Sequence, residues 1–229
     1  MARQFVPPDM PLVEAFGHTL GGFYLAQYDE SPAGAFDELV VLGGLVWNAP
    51  TSCAWASHVY VNSRAARDHG KGTFGLPSRC VRFSRDTTGD AQETMALEDG
   101  VRKGRTPLLR LHKEATRVGA PGPRISLQLP SFSGRTRHNP ALLRYALDLS
   151  TNIRPTKPFK VSANAPELAS ILGGRALCAF TFSHMAMLVR APVALVARQI
   201  AGKGEGASIA TQSKARGRRD PGAPLLPAS

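Results

Sequence analysis

At 229 residues, with 43% of them hydrophobic, the chain is long enough for one large domain with a substantial core. Its three cysteines are widely spaced and odd in number, which excludes a disulfide framework and a zinc site built from paired CxxC motifs. No apolar run reaches the roughly 18 to 20 residues of a membrane-spanning helix. The 22 glycines and 18 prolines favour a β-rich chain with many turns over a helical bundle.

The formal net charge of +11 is unevenly distributed. Residues 1–100 hold 7 basic and 12 acidic side chains, so the basic excess begins after residue 100. A basic segment can bind nucleic acid or another anionic surface. Because aromatic residues are not interleaved with these arginines as stacking platforms, we favour solvated basic loops and expect no specific nucleic-acid partner.

Three β-strands are predicted in the first part of the chain. Residues 20–28 are rich in β-formers, and residues 29–34, DESPAG, are typical of a reversing turn. Residues 35–48 form a second strand that is apolar on both faces, and residues 53–63 alternate well enough for a third. Strands joined by such short turns imply an antiparallel meander.

The region after the meander gives weaker signals. Residues 64–71 are typical of a short helix or turn, with Gly70 as its terminator. Residues 84–123 are polar and punctuated by Gly and Pro, so we expect one or two edge strands with long loops there.

Regular structure is predicted again in the last third of the chain. Residues 124–134 form a strand, and residues 139–155 begin like a helix, with Asn139 as N-cap and Pro140 at the first position. Residues 175–196 are expected to form a final pair of strands.

One domain boundary is predicted, near residue 200. Residues 1–200 are assigned to a single domain, and residues 201–229, which lack apolar periodicity, to a disordered basic tail. Residues 1–20 match neither a secretory signal nor an organelle transit segment. We therefore expect a soluble intracellular protein of the cytoplasm or plastid.

Most catalytic and metal-binding motifs are missing from the sequence. There is no Walker loop, no GxGxxG after a strand, no HExxH and no GxSxG, and the histidines lack ligand spacing, so no metal and no cofactor are expected. Glu38 differs because it enters the apolar run 35–48. A buried carboxylate needs partners or a raised pKa, as in many ligand cavities, whereas a solvated strand end explains Glu38 equally well.

A family resemblance is carried by VEAFGHTLGGFYLAQYDESPAGAFDELVVLGGLVWNAPTSCAWASHVYVNS, GLPSRCVRFS, LQLPSFSG and APV. Taken in this order, the segments resemble the acetoacetate decarboxylase superfamily, and within it most closely the neoxanthin-deficient family of plants. The close resemblance covers about residues 4–85 and 124–154, with a weaker return at 176–196.

The resemblance implies a mostly β fold with a few short helices (α+β), arranged as a cone-shaped antiparallel β-barrel around an apolar cavity. Superfamily members have one or more strands before the FVPPDM segment, whereas this chain starts almost at that segment. We therefore expect a barrel that is missing an N-terminal strand, and we prefer an incomplete gene model as the explanation because a missing strand leaves an unpaired edge.

The resemblance also bears on catalysis. The decarboxylases use a Schiff-base lysine whose pKa is lowered by a hydrophobic site and an adjacent second lysine. Carried over without gaps, these positions fall on Ser78 and Arg79, so acetoacetate decarboxylation is not expected. One cavity glutamate of the family maps onto Glu38, and the second cavity carboxylate maps onto Phe23.

Two functions follow from the resemblance. The first is a non-decarboxylating pseudoenzyme that binds an apolar oxygenated ligand and supports neoxanthin, a xanthophyll carotenoid, and hence abscisic acid biosynthesis. In this hypothesis Glu38 and Arg79 form an ion pair at the cavity mouth and orient the ligand. The candidate ligand-binding residues are Phe23, Tyr24, Glu38, Trp47, Trp55, Ser78 and Arg79.

The alternative is an enzyme with imine-independent chemistry on a carbonyl compound. Glu38 is then the acid or base, Arg79 stabilises an anion and Ser78 donates a hydrogen bond. The expected partner is a small apolar or carbonyl ligand. Self-association is also expected, because superfamily enzymes are often oligomeric.

Overall fold

A computed structural model describes residues 2–87, 92–99, 106–114 and 122–195. Within these residues the strands form three four-stranded sheets, with two short α-helices. The predicted mostly β fold is confirmed. The predicted boundary near residue 200 and the tail at 201–229 lie outside the described residues.

The first sheet contains the predicted meander. Strands β1 (Gly22–Tyr28), β2 (Phe36–Asn48) and β3 (Thr51–Val61) pair antiparallel in chain order. Strand β4 (Ser78–Cys80) then pairs parallel with β3, because helix α1 (Arg64–Phe74) carries the chain back across the sheet.

Helix α1 is longer than the sequence predicts. The Ser63 side chain accepts a hydrogen bond from the backbone N–H of Ala66, which caps the first turn. The helix ends at Gly75, whose left-handed backbone (φ 59°) lets its N–H bond to the carbonyls of the last turn. The prediction of Gly70 as the terminator is therefore wrong.

The second sheet is formed largely by residues 84–123, for which the sequence predicts edge strands and long loops. Its order is β10 (Lys160–Ala163), β7 (Leu109–Glu114), β6 (Gln92–Glu98) and β5 (Arg82–Thr87). The expectation of one or two edge strands is wrong. The polar composition of this region obscures the strand signal of Leu97, Leu109 and Leu111. These three leucines are completely buried and form part of the core.

The largest core lies between the second sheet and one face of the first. Leu39, Val41 and Tyr60 of β2 and β3 pack there against Leu97 and its neighbours. Helix α2 (Pro166–Leu172) closes the core with Leu168, which is also fully buried.

The third sheet is built around a strand that the sequence signals assigned to a helix. Strand β9 (Leu142–Pro155) pairs with β8 (Arg124–Gly134) on one side and with β11 (Phe180–Val189) and β12 (Val193–Leu195) on the other. The final two strands are thus confirmed, and each pairs with β9. A β-bulge interrupts β11 between Ser183 and Ala186.

The helix predicted to begin at Asn139 is wrong for a local reason. The Asn139 side chain accepts a hydrogen bond from the Ala141 N–H and closes a turn between β8 and β9 instead of capping a helix. From Leu143 onward, apolar and polar residues alternate with the period of a strand. Asparagine followed by proline suits both a cap and a turn, so the alternation is the decisive signal.

Candidate functional site

A polar cluster lies on the face of the first sheet that points away from the large core. Ala26 of β1 pairs with Glu38 of β2, so alternation places Tyr24, Tyr28 and Glu38 on the same face. All three side chains are half-buried, and each keeps some accessible surface. We call these three residues the carboxyl-phenol cluster.

Direct contacts join the members of the cluster. The Tyr28 hydroxyl donates a hydrogen bond to Oε2 of Glu38 at 3.0 Å. The Tyr24 hydroxyl lies 3.4 Å from Sδ of Met185 on β11 and also interacts with the Tyr28 hydroxyl. Residues that are far apart in sequence therefore meet at one point between the first and third sheets.

The surroundings of the cluster favour its neutral forms. Burial raises the pKa of Glu38, and the hydrogen bond from Tyr28 opposes this shift. Burial also raises the pKa of Tyr28 and Tyr24, and the neighbouring Glu38 charge raises both further. Both phenols consequently stay protonated at neutral pH, and a protonated Glu38 can donate a hydrogen bond to a ligand oxygen.

Tyr145 of β9 brings the third sheet close to this cluster. Burial raises the pKa of Tyr145 to about 12, contact with Ser133 opposes the shift, and the charges of Cys53 and Glu38 add to it. The Tyr145 ring also packs against Phe74 at the end of α1, with the ring centroids 5.1 Å apart. The face of the third sheet that carries Tyr145 is therefore turned toward Glu38.

The same face of the third sheet is apolar. The pairing of β8, β9 and β11 places large hydrophobic side chains in register on it, and two of them, Leu127 and Leu129, are 44% and 40% exposed. Phe182, at the end of this surface, has its ring centroid 6.5 Å from that of Tyr24. The surface, called the apolar face below, comprises Leu127, Leu129, Leu147, Leu149, Phe182 and Met187.

The two positions that replace the lysine pair lie on opposite sides of the first sheet. Ser78 pairs with Val59 and Arg79 with Tyr60, and adjacent strand residues point in opposite directions. Ser78 is only 1% exposed, whereas the half-exposed Arg79 approaches Asp99 at 4.0 Å. The structure therefore does not form the predicted ion pair between Glu38 and Arg79.

The remaining candidate residues are dispersed. Phe23 lies on the opposite face of β1 from Glu38, and its ring packs edge-on against Phe159 beside the large core. Trp55 is buried in a second core cluster with Val6 and Phe132, and Trp47 is 44% exposed. Of the seven predicted ligand-binding residues, the structure brings together Tyr24 and Glu38.

Sequence reasoning missed Tyr28, Tyr145 and Met185. Tyr28 could have been found from strand alternation, because Tyr24 and Tyr28 are four residues apart in a predicted strand. Tyr145 was hidden by the wrong helix assignment. The contact of Met185 with Tyr24 depends on how the first and third sheets approach each other, which no local pattern specifies.

Two general features of the described residues are also relevant to function. No group of three His, Cys, Asp or Glu side chains in the described part of the chain is arranged to hold a metal ion. None of the helices within the described ranges is long and apolar enough to cross a membrane.

Comparison with solved structures defines the fold class. Acetoacetate decarboxylase from Legionella pneumophila superposes with a TM-score of 0.57 at 14% identity, over 85% of this chain and 79% of the decarboxylase. The enduracididine biosynthesis enzyme MppR complexed with pyruvate gives a TM-score of 0.52 at 13% identity, over 84% of this chain and 82% of MppR. The chain thus has an acetoacetate decarboxylase-like fold.

Sequence comparison is more specific. No family model matches the chain. Protein NEOXANTHIN-DEFICIENT 1 of Arabidopsis thaliana is 42% identical, in an alignment that covers 70% of this chain and 67% of the Arabidopsis protein. The protein of the same name from Solanum lycopersicum is 35% identical and covers 86% of both chains. The chain therefore belongs to the NEOXANTHIN-DEFICIENT 1 family.

Proposed function

We propose that this protein supports neoxanthin biosynthesis by binding an apolar, oxygenated ligand between the carboxyl-phenol cluster and the apolar face. The names of its relatives point to the pathway. The observation that carries the binding proposal is the Tyr28 to Glu38 hydrogen bond at the edge of a hydrophobic surface. A xanthophyll combines the same two chemical features, a long apolar body and oxygen-bearing end groups.

The chemistry of the two surfaces supports a neutral ligand. A carboxylate buried beside apolar side chains loses hydration, which is the reason that burial raises the pKa of Glu38. A protonated Glu38 donates to an acceptor oxygen, and the Tyr28 oxygen can accept a hydrogen bond from a ligand hydroxyl. The exposed Leu127 and Leu129 would then bury apolar area against the ligand body.

The experiment is native mass spectrometry of the purified full chain after incubation with a plant pigment extract. It is repeated with a dihydroxy xanthophyll and with the hydrocarbon carotene of the same skeleton. We expect the xanthophyll to be retained, the carotene to be retained less, and Glu38→Gln to lose the preference. Glu30→Gln is the matched control, since Glu30 is an exposed acid in the turn after β1.

The binding proposal is rejected if the chain retains the two pigments equally or retains neither. Glu38→Gln keeps the shape of the side chain and a carbonyl acceptor for Tyr28, and it replaces the carboxyl O–H with a weaker amide N–H donor, so a reduced preference reports on the carboxyl group. If Glu30→Gln loses the preference for the xanthophyll to the same extent, the cause is a general effect of charge instead.

A second candidate function is imine-independent acid-base catalysis on a carbonyl compound. The observation that favours it is the raised pKa of Glu38 next to a phenol donor, an arrangement suited to general acid catalysis. Deuterium exchange into a carbonyl substrate in heavy water, reduced in Glu38→Gln, would support it. Borohydride should trap no adduct, and trapping a substrate on any lysine would contradict the imine-independent mechanism.

A further inference from the structure

A concavity of about 630 Å³ lies apart from the carboxyl-phenol cluster, none of whose three residues lines it. It is bounded by residues 4–9, by β3 at residues 55–58, and by the loops at 75–77 and 133–136. This volume suits a small organic molecule. We call it the His58 groove, after the imidazole in its wall.

The walls of the groove are tied together by side-chain hydrogen bonds. Ser133 Oγ donates to the carbonyl of Phe74 at 2.6 Å, and Thr136 Oγ1 donates to the carbonyl of Gly75 at 3.0 Å. These two bonds join the end of β8 and the loop after it to the end of α1. The opening between the loops is therefore held by specific contacts rather than by loose packing.

The position of His58 follows from a break in the strand register. Between β2 and β3 the pairing shifts after Val41 and His58, so Ser57 is left without a partner residue. The Ser57 hydroxyl donates to the Val41 carbonyl at 3.0 Å, within the shifted segment. The same hydroxyl lies 3.1 Å from Nδ1 of His58.

These two contacts favour one tautomer of His58. A serine hydroxyl has one proton, and the Ser57 proton is used in the bond to Val41. Ser57 Oγ can therefore only accept from His58, which places the imidazole proton on Nδ1. Nε2 then carries a lone pair and acts as a hydrogen-bond acceptor.

The acceptor nitrogen of this lining residue is free of protein partners. Within the described residues, Nε2 of His58 has no hydrogen-bond partner, and no buried side-chain nitrogen or oxygen lacks one, so Nε2 keeps solvent-accessible surface. Burial lowers the pKa of His58, the charge of Glu167 opposes this shift, and the charge of Arg79 adds to it. The ring consequently stays neutral at physiological pH.

The rest of the groove selects for a neutral, ring-shaped molecule. Among the described lining residues, the two charged side chains are Asp9 and Arg135, and they neutralise each other in an ion pair of 2.6 Å. Phe5, Trp55 and Leu76 supply apolar surface around His58. An aromatic or alicyclic ring can pack on these side chains while a substituent reaches the imidazole.

We propose that the His58 groove is a second binding site for a neutral cyclic alcohol or phenol, whose hydroxyl donates to Nε2 of His58. This site is independent of the carboxyl-phenol cluster, so either proposal can fail without the other. The groove supplies one hydrogen-bond acceptor and an apolar surface. A ring with one hydroxyl group supplies the matching donor and apolar area.

The test uses 4-fluorophenol and 4-fluoroanisole as probes, monitored by fluorine NMR line broadening on the full chain. The two molecules share a ring and a fluorine, but the methyl ether has no proton to donate. We expect the wild-type protein to bind the phenol more tightly than the anisole. This preference should be about 2- to 10-fold larger than in His58→Phe. His58→Phe keeps a ring at this position and removes the acceptor.

Nitrogen-15 labelling of histidine provides a readout that does not depend on any variant. The phenol should shift the Nε2 resonance of His58, and the anisole should leave it nearly unchanged. Glu30→Gln, which changes an exposed acid that does not line the groove, should bind both probes as the wild type does. The proposal is overturned if the probes bind alike, if neither binds at millimolar concentration, or if His58→Phe keeps the preference.

Discussion

The two faces of the first sheet use alternate residues of the same strands for different purposes. On one face Leu39 and Val41 are completely buried and Tyr60 is 1% exposed. On the other face Tyr24 and Glu38 remain half-buried. Val59 and Val61 are buried on that face as well, in a smaller core with Ala66 of α1. The comparison teaches that these packed positions fix the strands, so the half-buried positions beside them can hold a titratable cluster.

The largest expected effect is on the packed face. Leu39→Ala should lower the free energy of unfolding by about 2 to 5 kcal/mol, because it leaves a cavity among fully buried neighbours. Urea unfolding followed by circular dichroism measures this change. A loss below about 1 kcal/mol would mean that the two faces do not differ in packing as described.

Two glycines sharpen the contrast between packed and open positions. Gly75→Ala should cost about 1 to 3 kcal/mol, since the residue has φ 59° and an added Cβ would lie 2.8 Å from Cβ of Asn139. Gly72→Ala, with nothing within 4 Å of the added Cβ, should stabilise α1 by about 0.5 to 1 kcal/mol. Thermal unfolding of both variants should shift the midpoint in opposite directions, and equal shifts would contradict this comparison.

Glu38→Gln tests the polar face through its pH dependence. Because the folded pKa of Glu38 is raised above 4.5, the folded protein keeps a proton that the unfolded chain loses above that pH. Stability from this group is present below pH 4.5 and is lost as the pH rises through the folded pKa. The glutamine variant should therefore gain stability relative to the wild type as the pH increases.

Urea unfolding of both proteins between pH 4 and pH 8 measures the difference. Glu30→Gln serves as the reference for an exposed acid. A difference that stays constant with pH, or that falls as pH rises, would show that burial does not raise the pKa of Glu38.

The smallest expected effect on stability is at the apolar face. Leu127→Ala should change the free energy of unfolding by less than about 1 kcal/mol, because the side chain is already 44% exposed. The same variant should weaken retention of the xanthophyll in the native mass spectrometry experiment. Leu39→Ala and Leu127→Ala together separate residues that hold the fold from residues proposed to hold the ligand.

The sequence predicted the meander and the acid that the structure places in a cluster. Strong alternation and a clear turn marked β1, β2 and β3, and Glu38 was conspicuous as a charge in an apolar run. Local signals were sufficient there, since neighbouring strands pair in chain order. The family resemblance agreed with this part of the fold.

The other parts of the fold and of the site depend on contacts that local sequence patterns do not encode. Strand β9 was obscured by an asparagine-proline pair that fits both a helix cap and a turn, and Tyr145 was lost with it. The predicted ion pair between Glu38 and Arg79 does not form, because the two side chains lie on opposite faces of the first sheet. Arg79 instead approaches Asp99. The position of His58 in its groove follows from a register shift, which is visible only once two strands are paired.

The packing around Ser78 limits which side chains position 78 can hold. A Cβ added at Gly70 of α1 would lie 2.6 Å from Ser78 Oγ, so the helix backbone already rests against the serine. A longer side chain at position 78, such as lysine, needs space that α1 occupies. A single substitution at Ser78 could therefore place an amine there only if the helix moved as well.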